Sequence, residues 1–117
     1  MIHQIGFNHA WEGIKYAFST QPNFRIHGLL ATIALTLGVW LGLNSLEWLV
    51  LVFTICMVLI AEMVNTALES MTDLIEEKYH VKAKIAKDVS AGMVLVSAIS
   101  SLIVGLIIFV PKLWRCC

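Results

Sequence analysis

With 117 residues, 59% of them hydrophobic and only 14% charged, the chain has room for one domain and too little charge for an ordinary small soluble one. Its mean hydropathy of +0.84 makes lipid the expected solvent. The formal net charge is zero, and without a basic stripe or aromatic-basic interleaving nothing argues for a nucleic-acid partner.

The N-terminus, MIHQIGFNHAWEGIK, lacks the basic-then-apolar design and the small-residue cleavage site of a signal peptide, so the first apolar run is expected to stay in the mature protein. Residues 5–19 read as an amphipathic helix. Its Trp11, Tyr16 and Phe18 mix with Glu12 and Lys15, which suits a helix lying on the membrane surface or one packed on the bundle. Turn residues and Pro22 then break the pattern, and Arg25 and His27 stand at the mouth of the first apolar run.

Residues 28–43 make about 24 Å of helix against a hydrocarbon core of about 30 Å, so the span is expected to borrow flanking residues and to cover about 26–45. Asn44 and Ser45 leave room for a tight connection only. A second helix over about 46–75 is roughly 45 Å long, too long for the bilayer, and its second half should project past one surface. Residues 76–87 read as a charged connection. A third span covers about 88–110, and Pro111 closes it. The expected fold is therefore an all-α membrane protein, a single domain over residues 1–117, with three transmembrane helices and an N-terminal surface helix.

The cations orient it. Lys15, Arg25, Lys78, Lys82, Lys84 and Lys87 share one side and only Lys112 and Arg115 the other, so the first group belongs in the cytoplasm. In the third span Ser90, Ser97, Ser101 and Gly105 lie within roughly 80° of one another, a stripe that lets helices approach closely in lipid. That reading of the serines is structural. Cys56 reads as a small hydrophobe in an apolar run, and Cys116 and Cys117, though open to lipidation, read as incidental.

The chemistry concentrates in residues 60–73, IAEMVNTALESMTD. At about 100° per residue, Asn65, Glu69 and Asp73 fall within roughly 60° of Glu62, so one helical face is all carboxylate and amide. It opens where the uncharged run 48–61 ends. Acids at that depth are costly unless they bind or react with something. Desolvation disfavours the charged form of a carboxylate, which suits Glu62 as a general base taking a proton from an alcohol. Glu69, two turns further toward water, is placed to hold Mg²⁺, which uses one or two protein carboxylates with phosphate and water. Lys87 and Asp88, at the mouth of the third span, add a cation for phosphate and another acid. These are the ingredients of phosphoryl transfer, although no P-loop and no protein-kinase motif is present.

The pattern Glu62-x-x-Asn65-Thr66-Ala67-Leu68-Glu69-x-x-x-Asp73, with Tyr79-His80, Ala86-Lys87-Asp88 and Ala91-Gly92 beyond it, closely resembles the small bacterial integral-membrane diacylglycerol kinase and undecaprenol kinase family. The likeness extends to Asn23-x-Arg25-Ile26-His27 and Ala10-Trp11-x-Gly13, nearly the whole chain. It implies a homotrimer in the bacterial cytoplasmic membrane that moves the γ-phosphate of Mg-ATP to a lipid hydroxyl at the cytoplasmic surface. It also implies Glu62 as base, Asn65 in support and Glu69 as metal ligand. His80, Lys87 and Asp88 would lie near the nucleotide, and Asn23 and Arg25 on the substrate side. Many members carry a second metal-binding glutamate where this chain has Gln21, whose amide offers a carbonyl oxygen without the charge. The N-T-A core and the ending GLIIFVPKL look more like the undecaprenol branch.

Two other readings compete. In a proton-coupled transporter or channel subunit, Glu62 would carry the proton. Against this, the acids cluster at one helix end and the other spans should hold no second ionisable group. A non-catalytic scaffold associating through the small-residue stripe leaves the acids unexplained.

Overall fold

The computed structural model describes residues 2–75 and 81–116, all but a few of them in four helices: α1 Ile2–Thr20, α2 Pro22–Leu41, α3 Ser45–Ile75 and α4 Val81–Cys116. Three of these, α2, α3 and α4, are long and apolar enough to cross a membrane. The chain is thus an all-α membrane protein with three spans and an N-terminal amphipathic helix. Tyr79, His80 and the cation Lys78 lie outside the described residues.

The elbow between α1 and α2 is a single residue. Ser19 and Thr20 turn their hydroxyls back onto α1, to the carbonyls of Lys15 at 3.0 Å and Tyr16 at 2.7 Å. Gln21 is extended at φ −112°, and Pro22, whose missing N–H costs nothing in a first turn, restarts the helix. Phe18 and Phe24 meet edge to face with ring centroids 4.8 Å apart. Gly28 keeps that corner tight, because a Cβ there would touch Phe18 at 3.4 Å. Beyond the corner α1 leaves Phe7, Trp11 and Tyr16 exposed, rings that suit a membrane interface.

The connection from α2 to α3 is equally short. Gly42, at φ +70°, ends α2 in the left-handed region, and its N–H and that of Leu43 both reach the Gly38 carbonyl. Gly38 must be small: a Cβ would sit 2.9 Å from Leu43 and 3.0 Å from Trp48. Asn44 and Glu47 then cap α3 reciprocally, the Glu47 N–H donating to Asn44 Oδ1 at 2.9 Å and the Asn44 N–H to Glu47 Oε1 at 3.0 Å. Leu43, Leu51, Ile108 and Phe109 form the buried cluster at this end. Lys112 Nζ, 3.1 Å from Glu47, fastens α4 there.

Two expected boundaries are corrected. Residues 81–87 are the first turns of α4 rather than loop, since α4 begins at Val81 and its lysines project into water from a helix. Pro111 does not end α4, which runs on to Cys116. A lone proline withholds one N–H, and its fixed φ is itself helical, so the turns after it continue. The first span also starts earlier than expected, at Pro22, and its 20 residues give about 30 Å, the thickness of the hydrocarbon core.

Most side chains of the spans face outward, among them Leu29, Ile33, Val39, Phe53, Leu102 and Ile107. In lipid such faces bring no hydrophobic drive between helices, so close packing and a few polar contacts must hold the bundle together. Those polar contacts gather where α3 leaves the apolar region.

Candidate active site

Glu62 and Thr66 are buried on α3, with Asn65 half-buried between them. Thr66 spends its hydroxyl on the Glu62 backbone carbonyl at 2.9 Å, a turn-back bond that leaves it nothing to offer the carboxylate. The Glu62 side chain is 3% exposed, and its Oε1 has no hydrogen-bond partner among the described residues. Among the described residues the ionisable group that approaches it is His27 of α2, with Nε2 3.2 Å from Oε1 but no hydrogen bond formed.

One turn along, Asn65 joins two residues. Its Nδ2 donates a long, 3.5 Å bond to Glu69 Oε1, and its Oδ1 accepts from Ser90 Oγ of α4 at 2.8 Å. Ser90 is 2% exposed and its hydroxyl can alternatively reach the Lys87 carbonyl at 3.1 Å. The expectation that the serines of α4 act only in packing is therefore corrected for Ser90, which touches the acidic face directly. Ser97 and Ser101 instead bond carbonyls of their own helix, at 2.8 and 2.7 Å.

Toward water the face meets cations. Lys87 Nζ lies 2.6 Å from Asp73 Oδ1, with both side chains about half exposed or more. Asp88 pairs with Lys84 on its own helix. Gln21 is half-buried at the head of α2 and makes no side-chain capping bond. Asn23 and Arg25 are exposed in the first turn of α2, and His80 lies outside the described residues. One chain thus brings together Glu62, Asn65, Glu69, Asp73, Lys87 and Ser90. The contacts of Asp88 stay on its own helix.

Among the described residues no three His, Cys, Asp or Glu side chains converge on a point. A closed protein cage for a metal is therefore absent from them. Glu69, half-buried and held by an amide, suits a hard cation that keeps water and takes phosphate oxygens for the rest of its shell.

Below the site, α2, α3 and α4 enclose an apolar cleft of about 470 Å³. Leu30, Ala34, Leu37, Val58, Ile55 and Leu102 are among its walls. His27 lines the end nearest Glu62. It also corrects the expectation that only α3 carries an ionisable group within a span, because His27 lies inside α2. The sequence alone does not single out His27, because its contact depends on the register between α2 and α3, fixed by the Gly42 turn.

The model of prokaryotic diacylglycerol kinase matches residues 8–109. The chain belongs to that family. A diacylglycerol kinase of Synechocystis is 46% identical over 110 residues, which are 93% of this chain and 63% of that protein. The chain thus spans a little under two thirds of that relative's length. An undecaprenol kinase of Bacillus subtilis is 42% identical over 107 residues, 92% of this chain and 87% of its own. A diacylglycerol kinase of Escherichia coli is 28% identical over 95 residues, 81% of this chain and 78% of its own. Family members named for two different acceptors resemble the chain almost equally, so identity does not choose between the lipids.

Proposed function

We propose that this chain is a lipid kinase, which transfers the γ-phosphate of Mg-ATP to the hydroxyl of a membrane lipid alcohol, diacylglycerol or undecaprenol, at the cytoplasmic surface of a bacterial membrane. The observation that carries this reading is the buried Glu62 carboxylate, 3% exposed, beside the end of an apolar cleft. A lipid chain in the cleft brings its hydroxyl toward that carboxylate. Glu62 takes the hydroxyl proton as the oxygen bonds to the γ-phosphorus, while the bond to the bridging oxygen breaks and ADP leaves.

Asn65 steadies Glu69 and is itself held by Ser90. Glu69, with Gln21 as a weaker neutral candidate, would hold Mg²⁺, which supplies charge neutralisation to the phosphates when bound. Lys87, exchanging Asp73 for a phosphate oxygen, would bind the nucleotide, with His80 and Asp88 nearby. Asn23 and Arg25 stand on the substrate side. The excess of lysine and arginine around the site supports a cytoplasmic orientation.

Assembly as a homotrimer belongs to the same reading. Three thin spans cannot by themselves enclose a triphosphate and a lipid headgroup, and Asp88 pairs with Lys84 of its own helix. A neighbouring copy would complete the site.

The test is ATP consumption by purified protein in lipid nanodiscs, with diacylglycerol and undecaprenol supplied side by side. Consumption that depends on one added alcohol, with its phosphate ester as product, is the expected result. ATP use indifferent to both, or none, overturns the proposal.

A further inference from the structure

His27 lies between the buried base and the apolar cleft. It lines the cleft on one side, and its Nε2 is 3.2 Å from Glu62 Oε1 on the other. Within the cleft, the other polar side chains are committed: Thr54 donates to the Val50 carbonyl at 2.7 Å and Ser101 to that of Ala98 at 2.7 Å. His27 is also rigidly carried. It sits three residues beyond Phe24, which is 3% exposed and clamped by Phe18 at the elbow, and next to Gly28, against which Phe18 packs.

We infer that His27 is a positioning residue that acts through Glu62, removing the proton the carboxylate collects. The inference rests on Glu62 being the base of the lipid-kinase reaction proposed above. During transfer, the acceptor O–H bond breaks and its proton goes to Glu62. The freed electron pair makes the new P–O bond, and the pair of the broken P–O bond leaves with ADP. Glu62 is then a neutral acid walled in by apolar residues and must lose the proton before another turnover. Imidazole with its proton on Nδ1 presents a lone pair at Nε2, within proton-transfer reach of Oε1. His27 accepts the proton there and passes it outward to water at the head of α2, its side chain being 19% exposed where that of Glu62 is 3%.

Two measurements test this. The first is kinetic. His27→Gln, which fills the space but takes no proton, should lower kcat roughly 10- to 100-fold, the range for partners that orient a reactive group. The KM for Mg-ATP should be unchanged. In His27→Ala, added imidazole should restore part of kcat, and it should do nothing for Glu62→Gln. An unchanged kcat in His27→Gln, or no response of His27→Ala to imidazole, overturns the role. The second needs no activity: ¹⁵N spectra of histidine-labelled protein, with the His27 signals identified by their loss in His27→Gln. Glu62→Gln should shift the His27 signals and leave those of the other histidines in place, and superimposable His27 signals overturn the contact. If the unaltered protein phosphorylates neither lipid, the proposed activity fails, and the nitrogen spectra alone decide whether His27 and Glu62 act on each other.

Discussion

Replacing Ser90 by alanine removes one hydroxyl from the junction of α3 and α4 and little else. The hydroxyl is 2.8 Å from Asn65 Oδ1, and the residue is 2% exposed, so water cannot stand in for it without opening the helix contact. Hydrogen bonds between membrane helices average about 0.6 kcal/mol. A buried acceptor left without its donor costs about 1–3 kcal/mol. Asn65 is half-buried, which sets the loss between these, at about 1–1.5 kcal/mol. If that energy holds Asn65 in register with Glu69, activity falls about 5- to 12-fold, because 1.36 kcal/mol is a factor of ten in rate. The assay is phosphate transfer from ATP to the accepted lipid by Ser90→Ala, Asn65→Ala and the double variant. Once Asn65 is gone, Ser90→Ala should cost almost nothing further, which gives a coupling of about 1 kcal/mol. Ser90→Thr, which keeps a hydroxyl, should retain most activity. Additive losses in the double variant, or normal activity in Ser90→Ala, would refute the polar clasp.

Glu62→Gln should still bind nucleotide but lose at least ~10²-fold in turnover, the lower end of general-base contributions; a raised KM with kcat kept would instead mark uniform binding lost. Glu69→Ala should raise the Mg²⁺ needed for half activity and Gln21→Glu should lower it, and titrations that overlay on the parent would move the metal site elsewhere. For orientation, Lys82→Cys in a variant without Cys56, Cys116 and Cys117 should react with an impermeant thiol reagent only from the cytoplasmic side; labelling from outside reverses the topology. Inactive Glu62→Gln and Asp88→Ala subunits, unfolded together and reassembled, should recover part of the activity if the two groups meet across a subunit boundary. Mixtures that stay inactive place both groups in one chain.

Membrane burial writes the fold into the sequence as a one-dimensional signal. The uncharged runs 48–61 and 89–110, and the breaks at Pro22 and around Asn44, were enough to give the number and order of the spans. Where the helix bounds differ from the sequence pattern, one residue type stands for a local rule. The lysines of residues 81–87 suggested loop because they are charged, yet a helix leaving the membrane carries charge equally well. Pro111 suggested a stop, yet one missing N–H does not end a helix that is hydrogen-bonded on either side. The acidic face was legible for the same reason as the spans, since Glu62, Asn65, Glu69 and Asp73 lie on one helix and the helical period alone aligns them.

What crosses from helix to helix was not legible, because no period relates α3 to its neighbours. Ser90 belonged to a stripe of small residues whose spacing predicts close packing. Its bond to Asn65 depends on the register of α4 against α3, set at one end by Lys112 with Glu47 and at the other by Lys87 with Asp73. His27 reads as a flanking histidine until the Gly42 turn folds α2 back along α3 and brings it to Glu62. Both residues are polar, nearly or largely buried, and placed opposite an acid or amide that its own helix leaves unsatisfied. In lipid a polar side chain inside a span must find a partner or a cavity. A single serine or histidine near a membrane surface therefore reads better as half of a contact with another helix than as part of its own helix's pattern, and the acid already visible on α3 names the other half.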